Sequence, residues 1–212
     1  MIKSAKWIQP AKINDKIVPL FHREFNVAGE VKRAILQITA IGVYEAFLNG
    51  KRVGDFILAP GWTSYKKRLQ YQEYDVTADI HEKNNLAVLV AGGWITMRSG
   101  LVGSIADGWK PLLLASLRIE LTDGSQQIVD TDESWSSCPS PILMSSFYHG
   151  ETCDARIRPS GFSPVTLAEH SYKELILQEG EKVTEHETLA PVALIQTPKG
   201  ETVIDFGQNM TG

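Results

Sequence analysis

Residues 41–79, IGVYEAFLNGKRVGDFILAPGWTSYKKRLQYQEYDVTAD, decide how this chain folds. Apolar side chains run up to Asn49-Gly50, a dipeptide typical of type I′ turns, because both central residues of that turn need a positive φ. The pattern predicts a strand over 42–48, a two-residue turn, and a returning antiparallel strand over 51–58. This hairpin is a strong local signal for a β fold.

The same alternation of apolar and polar residues recurs on both sides of the hairpin. Residues 85–91 are almost wholly apolar, as in a strand that is buried on both faces. Residues 112–121 alternate regularly, so Leu113 and its odd-numbered neighbours are predicted to face the core, and Ser116 to face water with the other even-numbered polar residues. Further strands are predicted over 20–27, 31–40, 69–76, 125–131 and 134–138.

Helical patterns are weak, and they are confined to one turn over 79–83 and a short helix over 165–175. About ten short strands separated by turns therefore predict an all-β, antiparallel β-sandwich of the jelly-roll or galactose-binding-like kind, with few short helices. Three regions follow from the pattern. They are an N-terminal β-sandwich over 1–165, a polar connector over 166–190, and the truncated start of a second β domain over 191–212.

Composition excludes several classes of protein. The 212 residues carry a net charge of −4, so the chain as a whole offers no electrostatic attraction to nucleic acid. No run of 18 apolar residues predicts a membrane span. The N-terminus has no apolar leader segment, which predicts a cytoplasmic protein, although a chain whose leader had been removed would read the same way. Cys138 and Cys153 belong to no metal-binding motif and are predicted to be free thiols.

Loop tryptophans are the first candidates for function. Trp62, Tyr65, Trp94 and Trp109 are predicted to lie in loops, where an aromatic ring can stack on the apolar face of a sugar while nearby polar groups bond its hydroxyls. The alternative is that each ring closes an open end of the sandwich. A basic side chain such as Arg98 could donate two hydrogen bonds to adjacent hydroxyls.

Acidic residues offer a second candidate in the segment HGETCDAR. Glu151 and Asp154 could bond sugar hydroxyls or contact a cation, but an ion pair between Asp154 and Arg156 is the favoured interpretation. The histidines are scattered and no calcium-binding loop is present, so no metal site is predicted. No pair of carboxylates is marked for glycoside hydrolysis, and no catalytic residue is assigned. The pattern is that of a binding or structural module.

Seven motifs, in order along nearly the whole chain, carry a family resemblance. They are LFHREF at 20–25, YEAFLNGKRVG at 44–54, LAPGWT at 58–63, YQEYDVT at 71–77, TDESW at 131–135, GETCDAR at 150–156 and DFGQN at 205–209. Together they resemble the N-terminal domain of bacterial α-L-rhamnosidases. The hairpin motif alone is also similar to the sugar-binding sandwich domain of β-galactosidase-like enzymes, which is the alternative family.

The rhamnosidase resemblance implies a role and a set of partners. Complete members are multidomain glycoside hydrolases that cleave terminal α-L-rhamnosides with inversion, using carboxylates in a downstream (α/α)₆ barrel that this chain lacks. The resemblance therefore implies a non-catalytic domain that contacts rhamnose-containing glycosides and the downstream domains. Some relatives hold rhamnose through calcium at a Gly-Asn-Gly-Trp-Tyr motif. Gly92 replaces its asparagine and Ile95 its tyrosine, so no cofactor is predicted and calcium is not expected.

Overall fold

The computed structural model describes residues 2–12, 17–65, 67–96, 98–99, 103–104, 110–147 and 150–210, with backbone alone at 98, 99, 103 and 104. The chain divides into two compact units, Met1–Lys182 and Val183–Gly212. The three regions expected from the sequence remain a prediction. In the described part, no helix is both long and apolar enough to cross a membrane.

The first unit is built almost entirely from strands. Its strands are β1 (Ile8–Pro10), β2 (Pro19–Asn26), β3 (Val31–Ile41), β4 (Val43–Leu48), β5 (Lys51–Arg52), β6 (Leu69–Asp75), β7 (Lys83–Ala91), β8 (Arg98–Ser99), β9 (Gly103–Ser104), β10 (Leu112–Leu121), β11 (Gln126–Asp130), β12 (Ser136–Pro139), β13 (Ile142–Ser146), β14 (Gly150–Cys153), β15 (Ser163–Leu167) and β16 (Leu175–Leu177). Two single-turn 3₁₀ helices lie at Ile2–Ser4 and Thr77–Asp79. The predicted all-β class is confirmed.

Twelve of these strands form one curled sheet in the order β16-β6-β3-β10-β1-β15-β12-β2-β7-β4-β5, with β11 added on β10. β16 pairs with β6 in parallel, whereas β10 and β3 pair antiparallel along their full length. The two halves of the sheet face each other across the main core. Buried side chains from both halves meet there, among them Phe21 on β2, Leu36 on β3, Val88 on β7 and Leu117 on β10.

Both faces of the first half of β10 are buried, which corrects one sequence prediction. Ser116 is fully buried rather than facing water, and Leu112 and Leu114 are buried on the same face. Leu112 and Leu114 belong to a second apolar cluster, here called the outer cluster, on the side of the sheet away from the main core. Its buried members are Ile2, Ala5, Trp7, Leu69, Leu112, Leu114 and Leu175. The outer cluster forms because the two ends of the unit fold back over β10.

The Asn49-Gly50 turn has the predicted geometry, with φ of 54° and 81°. The returning strand is shorter than predicted, since β5 covers only Lys51–Arg52. The chain leaves the sheet at Gly54, where φ is 70°. The predicted helix over 165–175 is wrong, because β15 extends to Leu167 and pairs with β1, β16 begins at Leu175 and pairs with β6, and the residues between them are not helical. Tertiary pairing overrides the weak local helical signal there.

The second unit contains one hairpin, β17 (Ala193–Gln196) and β18 (Thr202–Asp205). Leu194 pairs with Ile204 and Ile195 with Val203, so adjacent cross-strand pairs carry apolar side chains on opposite faces of the ribbon. All four side chains are exposed.

Candidate carbohydrate-binding site

Three aromatic rings from separate loops meet at the surface of the first unit. The rings of Trp62 and Trp94 stack with centroids 6.2 Å apart and planes 13° apart. The ring of Phe147 packs against the ring of Trp94, with centroids 4.8 Å apart. Trp62 is 56% exposed and Phe147 41% exposed, so the group, here called the aromatic cluster, presents flat ring surface to solvent. The sequence predicts Trp62 and Trp94 as candidates but gives no signal for Phe147.

Two side-chain amides on β6 hold the loop that carries Trp62. The carbonyl oxygen of Pro60 accepts hydrogen bonds from the side-chain amides of Gln70, at 3.2 Å, and Gln72, at 3.3 Å. Gln72 is almost completely buried, and its Oε1 accepts a hydrogen bond of 2.7 Å from the Tyr44 hydroxyl. Burial, followed by the neighbouring Tyr74, raises the pKa of Tyr44 well above its usual value, so this hydroxyl keeps its proton. The network places Trp62 two residues beyond a fixed carbonyl.

Replacing Gln72 by leucine is expected to loosen the Trp62 loop. The leucine keeps the volume but removes the donor to Pro60 and the acceptor for Tyr44, so we expect a loss of about 1–3 kcal/mol in the free energy of unfolding. Near-ultraviolet circular dichroism should show a weaker signal from the stacked tryptophans. The same change at exposed Gln126 is the control and should leave both readings unchanged. An undisturbed tryptophan signal in the Gln72 variant would mean that the amide does not position the loop.

Two glycines shape the turn that carries Trp94. A Cβ on Gly93, where φ is 52°, would lie 2.5 Å from a methyl group of Val43. A Cβ on Gly92 would lie 2.2 Å from Oγ1 of Thr96. The backbone here therefore has no room for the asparagine of the calcium-binding motif. Among the described residues, no group of three His, Cys, Asp or Glu side chains is placed to hold a metal ion. The described residues do not fit a calcium site of that kind.

The other predicted binding residues do not join the aromatic cluster through any described contact. Tyr65 packs against the outer cluster, and burial raises the pKa of its hydroxyl to about 12. The backbone of Arg98 lies in β8, but its side chain falls outside the described residues, as does the whole of Trp109.

The two predicted acidic residues behave differently from each other. Asp154 accepts hydrogen bonds from Nε of Arg156 at 2.8 Å and from Nη2 at 2.7 Å, so the favoured ion pair is confirmed. The bonded Arg156 side chain and backbone hold the pKa of Asp154 below its usual value. Glu151 lies exposed on β14, opposite Ser145 on β13. No described contact joins either carboxylate to the aromatic cluster.

Phe147 carried no sequence signal. It follows β13, a strand with no clear sequence pattern, and its ring contacts Trp94, which lies 53 residues earlier in the chain. An exposed phenylalanine beside a short strand is common, so only the fold reveals this contact.

The fold and the aromatic cluster define the class as an all-β sandwich domain with a flat aromatic surface. The family model described as alpha-L-rhamnosidase N-terminal domain matches residues 29–197. The chain therefore belongs to the α-L-rhamnosidase N-terminal domain family. This result supports the predicted family over the β-galactosidase-like alternative.

Similar proteins from bacteria and a fungus agree with this assignment. An α-L-rhamnosidase of Streptomyces avermitilis is 40% identical over 195 residues, covering 86% of this chain and 19% of its own length. The crystal structure of that organism's α-L-rhamnosidase complexed with L-rhamnose matches with a TM-score of 0.83 and 36% identity, over 92% of this chain and 20% of the other. The α-L-rhamnosidase of Aspergillus terreus matches with a TM-score of 0.89 and 31% identity, over 99% of this chain and 26% of the other.

The chain is short beside its relatives. It spans between 19% and 24% of the length of the curated α-L-rhamnosidases that it matches.

Proposed function

We propose that this chain serves as a non-catalytic N-terminal domain of an enzyme that hydrolyses terminal α-L-rhamnosides. In this role its aromatic cluster helps to recognise rhamnose-containing substrates, and the domain packs against downstream domains of the same polypeptide. The non-catalytic part of the proposal is supported by the acidic residues. Asp154 is engaged by Arg156, and Glu151 lies exposed on β14 opposite Ser145 rather than opposite a second carboxylate.

The observation that carries the recognition role is the stack of Trp62 on Trp94. Two loop tryptophans that merely closed opposite ends of a sandwich would have no reason to lie nearly parallel at 6.2 Å. Here they form one surface, extended by Phe147, on loops held by a buried amide network and by two tightly packed glycines. A fixed aromatic surface binds with little loss of conformational entropy.

The chemistry of rhamnose suits such a surface. L-Rhamnose is a 6-deoxyhexose, so its C6 methyl group and ring C–H bonds form an apolar side opposite its hydroxyls. Aromatic rings carry negative charge on their faces, which attracts C–H groups of slight positive charge. The exposed face of Trp62 offers the largest ring surface in the cluster.

Replacing Trp94 by alanine is expected to weaken binding of methyl α-L-rhamnoside about tenfold, since the variant removes one ring contact and the support for Trp62. Ligand-observed NMR on the 212-residue chain, at millimolar sugar, measures the change. Phe162→Ala is the matched control, because that ring is 42% exposed and packs beside His22 rather than in the cluster. Equal affinity in both variants would refute the proposed recognition site.

Calcium provides a second arm of the same experiment. Binding is expected to be the same in calcium and in EDTA, because the described residues do not fit a calcium site. Binding lost in EDTA would instead make this a metal-dependent sugar module, despite Gly92.

A second candidate role is purely structural. The exposure of Trp62 and Phe147 also fits a surface that downstream domains cover, since exposed aromatic patches often mark interfaces. No sugar signal at millimolar concentration, together with weaker association of a separately produced downstream part with the Trp62→Ala chain, would favour packing over recognition.

A further inference from the structure

A cavity lies where β1 ends and β15 begins, beside β12. Ser163 and Pro164 of β15 pair with β12, whereas Val165 and the residues after it pair with β1. β15 therefore lies between β1 and β12 in the sheet. The cavity beside these strands has a volume of about 270 Å³, and none of its described lining residues belongs to the aromatic cluster.

Proline rings dominate the walls of this cavity. Pro10, Pro19, Pro111 and Pro139 line it together with Ile17. Three of the four prolines are buried, at Pro10, Pro19 and Pro111. Proline has no backbone N–H, so these walls present C–H groups and few hydrogen-bond donors. Such walls favour an apolar ring over a polyhydroxylated sugar.

Polar groups are segregated between the floor and the mouth. The floor includes buried Ser137 and Cys138, each at most 5% exposed. The exposed mouth includes Lys12 and Gly161. Among the described lining residues, Lys12 alone carries a charge. A ligand could pack an apolar ring against the prolines inside the cavity and place an anionic group beside Lys12 at the mouth.

We propose that this cavity binds a small one-ring aromatic carboxylate, with the ring packed against the prolines and the carboxylate paired with the Lys12 ammonium. Three observations support this class of ligand. The volume accommodates a single ring with a short substituent, being just below the range of drug-sized pockets. The pyrrolidine C–H groups complement the negative face of an aromatic ring. The charged mouth selects an anion. The inference does not rest on the proposed rhamnoside recognition.

Benzoate and its neutral isostere benzamide test the proposal on the full chain by saturation-transfer NMR titration. Benzoate is expected to bind in the millimolar range and more tightly than benzamide. Lys12→Gln should weaken the binding of benzoate by about three- to fivefold, which is the range for an exposed ion pair. The affinity for benzamide should not change. Lys6→Gln is the matched control, because Lys6 is exposed in the same segment but does not line the cavity.

Cys138 provides an independent readout of position. Both cysteines are free thiols, and Cys153 is exposed, so a Cys153→Ser chain leaves Cys138 as the single reporter. Burial raises the pKa of the Cys138 thiol, and modification by methyl methanethiosulfonate is therefore followed at alkaline pH. Benzoate should slow the modification severalfold. Equal binding of benzoate and benzamide, an unchanged affinity in Lys12→Gln, or no protection of Cys138 would each overturn the proposal. A rhamnoside titration of the same samples tests the proposed sugar recognition independently of benzoate binding.

Discussion

Replacing Gly54 by alanine is expected to lower the free energy of unfolding by about 3 kcal/mol. Gly54 has a φ of 70°, where an L-residue costs roughly 1–2 kcal/mol. A Cβ at this position would also lie 2.2 Å from Cε1 of Tyr74, and moving a packed ring adds about 1–3 kcal/mol. The hydroxyl oxygens of Tyr74 and buried Tyr44 lie 3.3 Å apart. Displacing the Tyr74 ring therefore also disturbs the amide network behind Trp62. Urea denaturation, followed by circular dichroism, measures the loss.

Gly50→Ala is the matched control for Gly54→Ala. Gly50 has a similar φ of 81°, but a Cβ there meets nothing within 4 Å. This variant therefore carries only the backbone cost of about 1–2 kcal/mol. The difference between the two variants isolates the steric conflict with Tyr74. Equal losses would show that the close approach of Gly54 to Tyr74 is unimportant.

Replacing Trp135 by alanine is expected to cost about 3–5 kcal/mol, the range for deleting a large buried aromatic side chain. The side chain is 1% exposed in the main core, and its Nε1 donates a hydrogen bond of 2.9 Å to the carbonyl of Asp130. The TDESW motif directs this ring inward. Asp132 accepts a bond from the backbone N–H of Ser134 at 2.8 Å, which tightens the turn before the tryptophan.

Trp62→Ala removes the same side chain from an exposed site and serves as the control. Its effect on stability should stay below about 1 kcal/mol, because the Trp62 side chain is 56% exposed. Differential scanning calorimetry of both variants gives the comparison. A Trp135 variant as stable as the Trp62 variant would mean that the main core closes around the missing ring, which dense packing opposes.

Features set by local backbone chemistry were predictable from the sequence. The Asn49-Gly50 turn needs two positive φ values, and few dipeptides supply them. The alternation over 112–121 predicted the strand bounds of β10 correctly. The water-facing orientation predicted for Ser116 was wrong, because the outer cluster on that side of β10 is assembled from both ends of the first unit and from Leu69, which are distant from β10 in the sequence.

The candidate site likewise combines residues that the sequence marks with contacts that only the folded chain shows. Trp62 and Trp94 stood out because large aromatic residues are unusual in loops, but their stacking depends on two loops that meet only in the folded chain. Tyr65 had the same local signal, yet the fold turns its ring to the outer cluster. The substitution at Gly92 was visible in the sequence, and the space filled by Thr96 was not.

The outer cluster changes where a usable fragment of this protein can be cut. Trp7 and Leu175 come from opposite ends of the first unit, and the Tyr172 hydroxyl donates to the carbonyl of Ala5 at 3.1 Å. A fragment that ends at residue 165, the predicted end of the β-sandwich, would lose Leu175 and expose Leu114. It would also leave the edge of β6 without β16, its parallel partner. Anyone who transplants or expresses this module alone should therefore keep the chain through Lys182, since the last strand of the sandwich pattern is not the end of the folding unit.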